Sequence, residues 1–344
     1  MSVSQNDTLI EVQSLKKYFP IRKGVLQREV DRVHAVDDVT LAVRKGETIG
    51  LVGESGCGKS TLGRCIVRLL EPTAGEVVFE GRSIGKLGAR ALRPLRREMQ
   101  MVFQDPYASL NPRKRVGTII SDPMKIHGIG DRRERKKRVE ELLEVVGLSP
   151  EHYNRFPHEF SGGQRQRIGV ARALALRPKL IVADEPVSAL DVSIQAQMVN
   201  LLEDLQDEFG LTYVFIAHDL GVVADIADEI IVMYAGRVVE RGSKRDIFYD
   251  PQHPYTWGLL GSIPRLDRPK PEKLHSIRGM PPSLINLPRG CKFRPRCPHA
   301  FEKCEEEPGL DHRVEERGHR DRCWLSVEEK RRLRERTIVG EAVA

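Results

Sequence analysis

Short apolar segments separated by polar turns predict β-strands in the first fifty residues. Residues 8–50 read as a series of short strands, and Gly46 and Glu47 form a turn ahead of the apolar segment 48–52. An apolar run of this length, bounded by turn residues, is typical of a buried strand. The next apolar residues recur at helical spacing: Leu62, Cys65, Ile66, Leu69 and Leu70. Pro72 follows them and predicts the end of that helix.

The pattern then changes twice. Residues from about 107 to 175 are charged and have a helical pattern, and apolar runs typical of strands return at 179–184 and 212–217. This order predicts an α/β core with a mostly parallel sheet and an inserted helical subdomain. Beyond Asp250 the chain becomes rich in Pro and Gly. We therefore predict a first domain over residues 7–250 and a loop-rich C-terminal extension over 251–344.

Length and charge narrow the possible functions. The chain has 344 residues and a formal net charge of +7, with basic clusters at 132–138 and 330–334. Glu residues next to both clusters favour solvated helix faces over a nucleic-acid site, and a mild positive excess also suits a nearby anionic membrane surface. The longest apolar stretches are shorter than the roughly 18 residues that cross a bilayer. The polar start, residues 1–7, has no secretion-signal pattern, so we expect a cytoplasmic protein.

A glycine-rich loop follows the predicted strand 48–52. Its residues are Gly53, Glu54, Ser55, Gly56, Cys57, Gly58, Lys59 and Ser60, with Thr61 directly after them. Glycines let the backbone N–H groups approach a phosphate closely, and the positive end of the following helix dipole favours the anion. Lys59 would reach the β- and γ-phosphates, and Ser60 would bind Mg²⁺. Strand, loop and helix occur in the order that this phosphate loop requires, and the segment predicts an ATP and Mg²⁺ site.

An acidic pair follows a fully apolar strand much later in the chain. Asp184 and Glu185 come directly after the apolar run 180–183, so the pair is poorly explained as a surface loop. Asp184 would hold Mg²⁺ through water, and Glu185 would polarise the attacking water of a hydrolysis reaction.

A third motif makes the assignment specific. Residues 161–166 read Ser161, Gly162, Gly163, Gln164, Arg165 and Gln166, shortly before the acidic pair. Together with the phosphate loop, this segment resembles the signature of ABC-type ATPases. The resemblance implies an ATPase with an added antiparallel β subdomain. It also assigns Gln104 as the glutamine that senses metal and γ-phosphate, Asp191 to the loop after the acidic pair, and His218 as the residue that contacts the γ-phosphate.

The same resemblance implies an aromatic side chain that stacks on adenine, and an incomplete site in the single chain. Tyr18 and Phe19 compete for the aromatic position, and counting from residues 15–17 favours Phe19. In this family the signature residues close over the ATP held by the other subunit. Ser161, Gly162 and Gly163 would therefore serve a partner's nucleotide, so a monomer would have incomplete sites.

Further segments resemble one branch of the family. They are Phe103 to Pro106, Ser109 to Pro112 and Pro251 to Thr256, followed by a cysteine-bearing tail. In this order they are similar to the ATP-binding subunits of dipeptide and oligopeptide importers. The resemblance implies a second ATPase subunit, usually a different chain, two membrane permeases and an extracytoplasmic peptide-binding protein, with this chain on the cytoplasmic face of the membrane. Nickel or another small solute remains an alternative cargo, and a soluble ABC ATPase acting on ribosomes or DNA is a further alternative.

The tail contains four cysteines: Cys291, Cys297, Cys304 and Cys323. In a reducing compartment such a group is typical of a metal site, and four thiolates suit either Zn²⁺ or an iron–sulfur cluster. The paired spacing usual for zinc is absent. Similar tails in peptide-importer ATPases carry a [4Fe-4S] cluster, which the resemblance therefore favours over Zn²⁺ and over buried free thiols. His299, His312 and His319 read as surface or packing residues, although any of them could replace a thiolate.

Overall fold

The computed structural model describes residues 7–25, 27–262, 277–312 and 318–339. The polar start at residues 1–6 and most of the proline-rich stretch at 263–276 lie outside the described residues, as does the side chain of His312.

The described strands form two sheets. They are β1 (Thr8–Lys23), β2 (Arg28–Arg44), β3 (Thr48–Val52), β4 (Ala74–Phe79), β5 (Arg82–Ser83), β6 (Met99–Val102), β7 (Leu180–Asp184), β8 (Thr212–Ala217), β9 (Glu229–Tyr234), β10 (Arg237–Ser243), β11 (Asp311–His312) and β12 (Arg320–Asp321). One sheet is antiparallel and four-stranded, in the order β2-β1-β4-β5. The other has eight strands, in the order β11-β12-β10-β9-β3-β8-β7-β6.

The eight-stranded sheet is parallel at its centre, where β9, β3, β8, β7 and β6 pair in register, and antiparallel from β9 outward. Every residue of β3, β7 and β8 is buried. Strands covered on both faces need continuous apolar runs, and this is why their sequences do not alternate. The carboxyl ends of β3, β7 and β8 therefore lie side by side at one edge of the sheet.

The helices pack on both faces of this sheet. They are α1 (Lys59–Ile66), α2 (Ala89–Glu98), α3 (Pro106–Ser109), α4 (Val116–Ile126), α5 (Arg132–Val145), α6 (Gly162–Leu174), α7 (Val192–Phe209), α8 (Leu220–Ile226), α9 (Lys244–Tyr249), α10 (Pro254–Gly261) and α11 (Val327–Val339). Short 3-10 turns occur at Pro150–Asn154, Pro157–Glu159, Arg294–Arg296 and Glu302–Glu305. The α3 to α6 region is the helical insertion predicted for about residues 107–175. None of the described helices is long and apolar enough to cross a bilayer.

Two large apolar clusters fill the core. One lies between the two sheets and around α1, and the other joins the far side of the main sheet to the helical insertion. A third, much smaller cluster belongs to the extension and consists of Trp257, Cys323 and Leu325, with Leu333 packed against it. The extension contributes Tyr255, Leu260 and Phe293 to the second large cluster, and only the third, small cluster consists of extension residues alone.

Two local expectations need correction. The first two strands are not short, since β1 has 16 residues and β2 has 17. The helix after the phosphate loop ends at Ile66, well before Pro72. Arg68 adopts a left-handed conformation with φ 54°, and its buried guanidinium donates to the carbonyl of Ile84. That turn, rather than the proline, ends the helix, and it leaves Leu69 about half exposed (48%).

The second basic cluster also differs from the expectation. Residues 132–138 form a largely exposed face of α5, as predicted. In α11, however, Lys330 is fully buried, and its ammonium group donates to Asp321, 2.7 Å away. Sequence pattern alone treats a Lys among Arg residues as solvated, because a buried lysine requires a partner that lies elsewhere in the chain. Asp321 belongs to β12, which pairs with β10 and so joins the extension to the edge of the main sheet.

Candidate functional site

The phosphate loop connects β3 to α1 and depends on glycine at two positions. Gly53 has φ 148°, and a side chain there would meet the carbonyl oxygen of Met233 at 2.2 Å. Gly58 has φ 108°, and a side chain there would meet the carbonyl oxygen of Ala35 at 1.9 Å. Only glycine fits both the backbone conformation and the space. The loop backbone is therefore fixed tightly against the neighbouring strands at these two glycines.

Lys59 lies at the start of α1 and is buried. Its ammonium group donates to the carbonyl oxygens of Gly53, at 2.7 Å, and Glu54, at 3.0 Å. These contacts hold the positive charge inside the loop, and the role of Lys59 at the phosphates stays a prediction.

Asp184 and Ser60 form the second part of the site. The Ser60 hydroxyl donates to Asp184 Oδ1 at 2.6 Å. Asp184 is almost fully buried, and burial raises the pKa of its carboxyl group. Its other oxygen, Oδ2, accepts no hydrogen bond from the described residues and lies 3.6 Å from the guanidinium of Arg64. A buried carboxylate oxygen without a donor, beside a hydroxyl, fits the oxygen-ligand preference of Mg²⁺.

Two further residues that were predicted from the sequence lie next to Glu185. Gln104 donates to Glu185 Oε2 at 2.9 Å, and His218 Nδ1 lies 3.4 Å from the same oxygen. Glu185 itself has φ 47°, a left-handed conformation that is costly for a residue with a side chain. The carboxylate is thus held in a defined position at the edge of the sheet, where the ends of β6, β7 and β8 bring these three residues together.

The signature segment lies at the start of α6. Ser161 caps this helix, since its hydroxyl accepts from the Gln164 N–H while the Gln164 side chain accepts from the Ser161 N–H. Gly163 packs against α7, where an added side chain would meet Ile194 at 2.7 Å. Asp191 precedes α7 and its carbonyl accepts from the Ile194 N–H. The structure therefore brings the signature and Asp191 to neighbouring helix starts. Ser161 and Asp191 each contact the first turn of their own helix, and Gly163 lies close to α7.

The two aromatic candidates have different environments. The Tyr18 hydroxyl donates to Asp37 Oδ1 at 2.5 Å, and the Tyr18 ring lies against that of His34 with centroids 4.3 Å apart. Burial and the Asp37 carboxylate raise the pKa of Tyr18. Phe19 instead has the Lys17 ammonium over its ring, 4.9 Å from the centroid. Tyr18 is therefore committed to internal contacts, and Phe19 is not.

All four cysteines of the extension line one small cavity, together with His253 and His299. Burial raises the pKa of Cys297 and of Cys323 to about 12. Within the parts of the chain that the structure describes, no three His, Cys, Asp or Glu side chains are close enough together to hold a single metal ion. The cysteines thus converge on one space but are too widely separated to form a compact single-ion site.

Three residues at the phosphate loop were not assigned from sequence. Glu54, a variable position of the motif, accepts two hydrogen bonds from Arg296, and its backbone N–H donates to the hydroxyl of Tyr255. Tyr255 lies in the 251–256 segment that carried the family resemblance, and that resemblance was a signal for this region. No signal in the sequence pointed to Arg296, because 242 residues separate it from Glu54.

Comparisons with known proteins identify the family of the chain. The ABC transporter family model matches residues 36–188, and the model for the oligopeptide/dipeptide transporter C-terminal region matches 239–304. The oligopeptide transport ATP-binding protein AppF of Bacillus subtilis is 53% identical over 89% of this chain and 94% of its own length. The dipeptide transport ATP-binding protein DppF of Haemophilus influenzae is 50% identical over 90% and 94%.

Solved structures give the same class. The chain cbiO1 of Clostridium perfringens, part of an ABC transporter complex, superposes with a TM-score of 0.61 at 26% identity, over 71% of this chain and 92% of that one. The dimeric ABC transporter cassette MJ0796 superposes equally well at 31% identity, over 69% and 99%. The protein is therefore an ABC-type ATPase and belongs to the family of peptide-transport ATP-binding proteins.

Proposed function

We propose that this chain hydrolyses ATP to power the uptake of dipeptides or oligopeptides through a membrane ABC importer. The observation that carries this is the meeting of the Ser60–Asp184 pair with Glu185 and its two contacts at one edge of the sheet. The match of residues 239–304 to the peptide-transporter C-terminal region supports the choice of cargo.

Each residue has a defined role in this proposal. The N–H groups of the loop and the Lys59 ammonium bind the phosphates of ATP, and Ser60, Asp184 and Gln104 hold Mg²⁺, which neutralises charge on the phosphates. Glu185 orients the attacking water and accepts its proton. Its Oε2 atom is the oxygen that Gln104 and His218 face. His218, whose Nδ1 lies 3.4 Å from Glu185 Oε2, contacts the γ-phosphate in this proposal.

Phe19 is the side chain that stacks on the adenine base in this proposal. Tyr18 has its hydroxyl bound to Asp37 and its ring against His34, so stacking on adenine would break existing contacts. Stacking of adenine on Phe19 would displace only the Lys17 ammonium from the face of the ring.

The position of the signature supports a shared site. Ser161, Gly162, Gly163 and Asp191 lie at the starts of α6 and α7 and have no described contact with the chain's own phosphate loop, as an arrangement serving a partner's ATP requires. We therefore propose a pair of ATPase subunits, docked on two permeases at the cytoplasmic face of the membrane and supplied by an extracytoplasmic binding protein. In this assembly residues 7–250 form the ATPase domain and 251–344 the extension.

Transport assays in the source organism test the cargo. Deletion of the gene should abolish uptake of a labelled dipeptide, and the parent gene should restore it. Genes that carry Lys59→Ala or Glu185→Gln should not restore dipeptide uptake. Normal peptide uptake in the deletion strain together with lost nickel or sugar uptake would show that nickel or a sugar, and not a peptide, is the cargo. Normal uptake of all three would contradict the importer function.

We further propose that Cys291, Cys297, Cys304 and Cys323 bind a [4Fe-4S] cluster. The fit rests on the shared cavity that they line. Four cysteine thiolates are the usual ligands of a [4Fe-4S] cluster. The described residues contain no group of His, Cys, Asp or Glu side chains close enough to hold a metal ion, so the proposal depends on the shared cavity and on the resemblance of the tail.

Metal analysis of protein purified without oxygen tests this proposal. The cluster predicts brown protein with about four irons per chain, and Cys297→Ser should lose the colour and expose the extension to proteases. Cys57→Ser is a matched control. Cys57 lies in the phosphate loop, so this substitution should leave the iron content unchanged. Stoichiometric zinc without iron would contradict the cluster identity, and protein without any metal would contradict the site itself.

A further inference from the structure

We propose that Arg296, in the C-terminal extension, is a positioning residue for ATP binding that neutralises and holds Glu54 of the phosphate loop. This inference rests on the proposed use of that loop to bind phosphate. It adds a contact through which the extension acts on the nucleotide site.

The contact is bidentate and mostly buried. Arg296 Nη1 donates to Glu54 Oε2 at 2.6 Å, and Nη2 donates to Oε1 at 2.9 Å. The Arg296 side chain is 5% exposed, against 26% for Glu54. Its remaining Nε–H donates to the carbonyl of Arg278 at 3.0 Å. A guanidinium held in this way has its orientation fixed, since both edges of the planar group are used.

The extension contacts Glu54 at a second point. The Glu54 backbone N–H donates to the Tyr255 hydroxyl at 2.8 Å, and its carbonyl accepts from Lys59 at 3.0 Å. Tyr255 is itself fully buried and packs against Tyr234 and Phe293. The carbonyl also accepts from the Cys57 N–H, so every polar group of Glu54 is bound, and two of its four partners come from beyond residue 250.

Charge explains why this arrangement matters for function. Glu54 directly follows Gly53 in a loop that binds a polyanion, so a free carboxylate there would repel the phosphates. Arg296 cancels that charge, and it also prevents the carboxylate from attracting the Lys59 ammonium away from the phosphates. Arg296 directly precedes Cys297, so the fold around the cysteine cavity sets the position of the guanidinium.

The first test compares the ATP affinity of full-length variants by equilibrium titration with a fluorescent ATP analogue. Arg296→Gln should weaken binding on the order of tenfold, a usual size for coupling between two sites. The ATP affinity of Arg296→Lys should lie between those of the parent and Arg296→Gln, because lysine keeps the charge but loses one of the paired hydrogen bonds. Arg294→Gln is the matched control. Arg294 lies in the same turn and pairs with Glu305 at 2.7 Å on the surface, away from the loop.

The second test separates charge neutralisation from a merely structural contact. Adding Glu54→Gln to Arg296→Gln should restore ATP affinity to within about twofold of the parent, since the two effects cancel in a coupled pair. Glu54→Gln alone should bind ATP at least as tightly as the parent. A double variant as weak as Arg296→Gln, or a Glu54→Gln variant as weak as Lys59→Ala, would overturn the inference.

Two further controls remove ambiguity. If Arg296→Gln does not fold, as judged by thermal unfolding, the Glu54→Gln result decides the question alone. Lys59→Ala tests the underlying phosphate site. If Lys59→Ala loses ATP while Arg296→Gln keeps parental affinity, only the role of Arg296 is wrong. If Lys59→Ala keeps ATP, the phosphate site itself is wrong.

Discussion

The ATPase core and the C-terminal extension are ordered by different forces. In the core, fully buried apolar strands position the catalytic groups, and each group lies at the end of such a strand. The extension contributes Tyr255, Leu260 and Phe293 to the main core and has only a small apolar cluster of its own. Three buried polar pairs lie within it or join it to the core: His319 with Glu240, Lys330 with Asp321, and Arg296 with Glu54. Burial of apolar area is non-directional, whereas a buried pair works only in one geometry.

The difference shows how the two parts depend on each other. Glu240 of β10 is fully buried and accepts from the backbone N–H groups of Gln252 and His253 as well as from His319. The extension therefore supplies the donors that this core carboxylate requires, because a buried charge without partners is strongly unfavourable. In return the core supplies the sheet edge that β12 extends.

The largest expected effect is on the core. Glu185→Gln should reduce ATP hydrolysis by about 10²- to 10⁴-fold, the usual contribution of a general base, while ATP binding stays intact. The closed, ATP-bound pair should accumulate, as measured by light scattering or size-exclusion chromatography. Glu208→Gln, the same substitution at an exposed position near the end of α7, serves as the control. Steady-state hydrolysis within about twofold of the parent would contradict the role of Glu185.

Sequence predicted the core site far better than the extension. The residues at Gly53 to Ser60, Asp184 and Glu185 could be located because strand, loop and helix are local and each motif is short. The pairing of Gln104 and His218 with Glu185 needed the family resemblance. The Arg296–Glu54 and Lys330–Asp321 contacts left no periodic signal, because they join segments by side-chain charge rather than by apolar spacing.

A second prediction concerns the buried pair in the extension. Lys330→Met should destabilise the extension by about 3–5 kcal/mol, since removing one partner leaves the other charge buried. Limited proteolysis and urea unfolding should show the extension opening first. Arg331→Met, one residue later and exposed, should have little effect. Equal protease resistance of the two variants would show that the buried pair does not hold α11 in place.

A third prediction concerns pH. Burial alone would lower the pKa of His319, but its hydrogen bond to Glu240 and the nearby carboxylates of Asp246 and Asp321 raise it above the usual 6.5. Protonated His319 therefore stabilises the fold below pH 6.5, and this contribution is lost as the pH rises through the raised pKa. Urea unfolding at several pH values should show this loss in the parent and not in His319→Asn. A parent that gains stability over this range would contradict the assignment.

The smallest expected effect is at the signature. Ser161→Ala should leave the ATP affinity of the isolated chain unchanged, because the serine is proposed to serve the partner's nucleotide. Hydrolysis by the assembled transporter should fall. If the isolated chain lost ATP affinity as strongly as Lys59→Ala does, the shared-site proposal would be wrong.

Hydrogen exchange of the full-length chain tests most directly whether the two regions act together. Amide exchange would be measured by mass spectrometry with and without Mg-ATP. The account predicts that ATP protects the phosphate loop, residues 53–61, and also slows exchange at 291–297 around Arg296. In Arg296→Gln the second protection should be lost. Protection confined to the ATPase domain in the parent protein would contradict the proposed link between the extension and the nucleotide site.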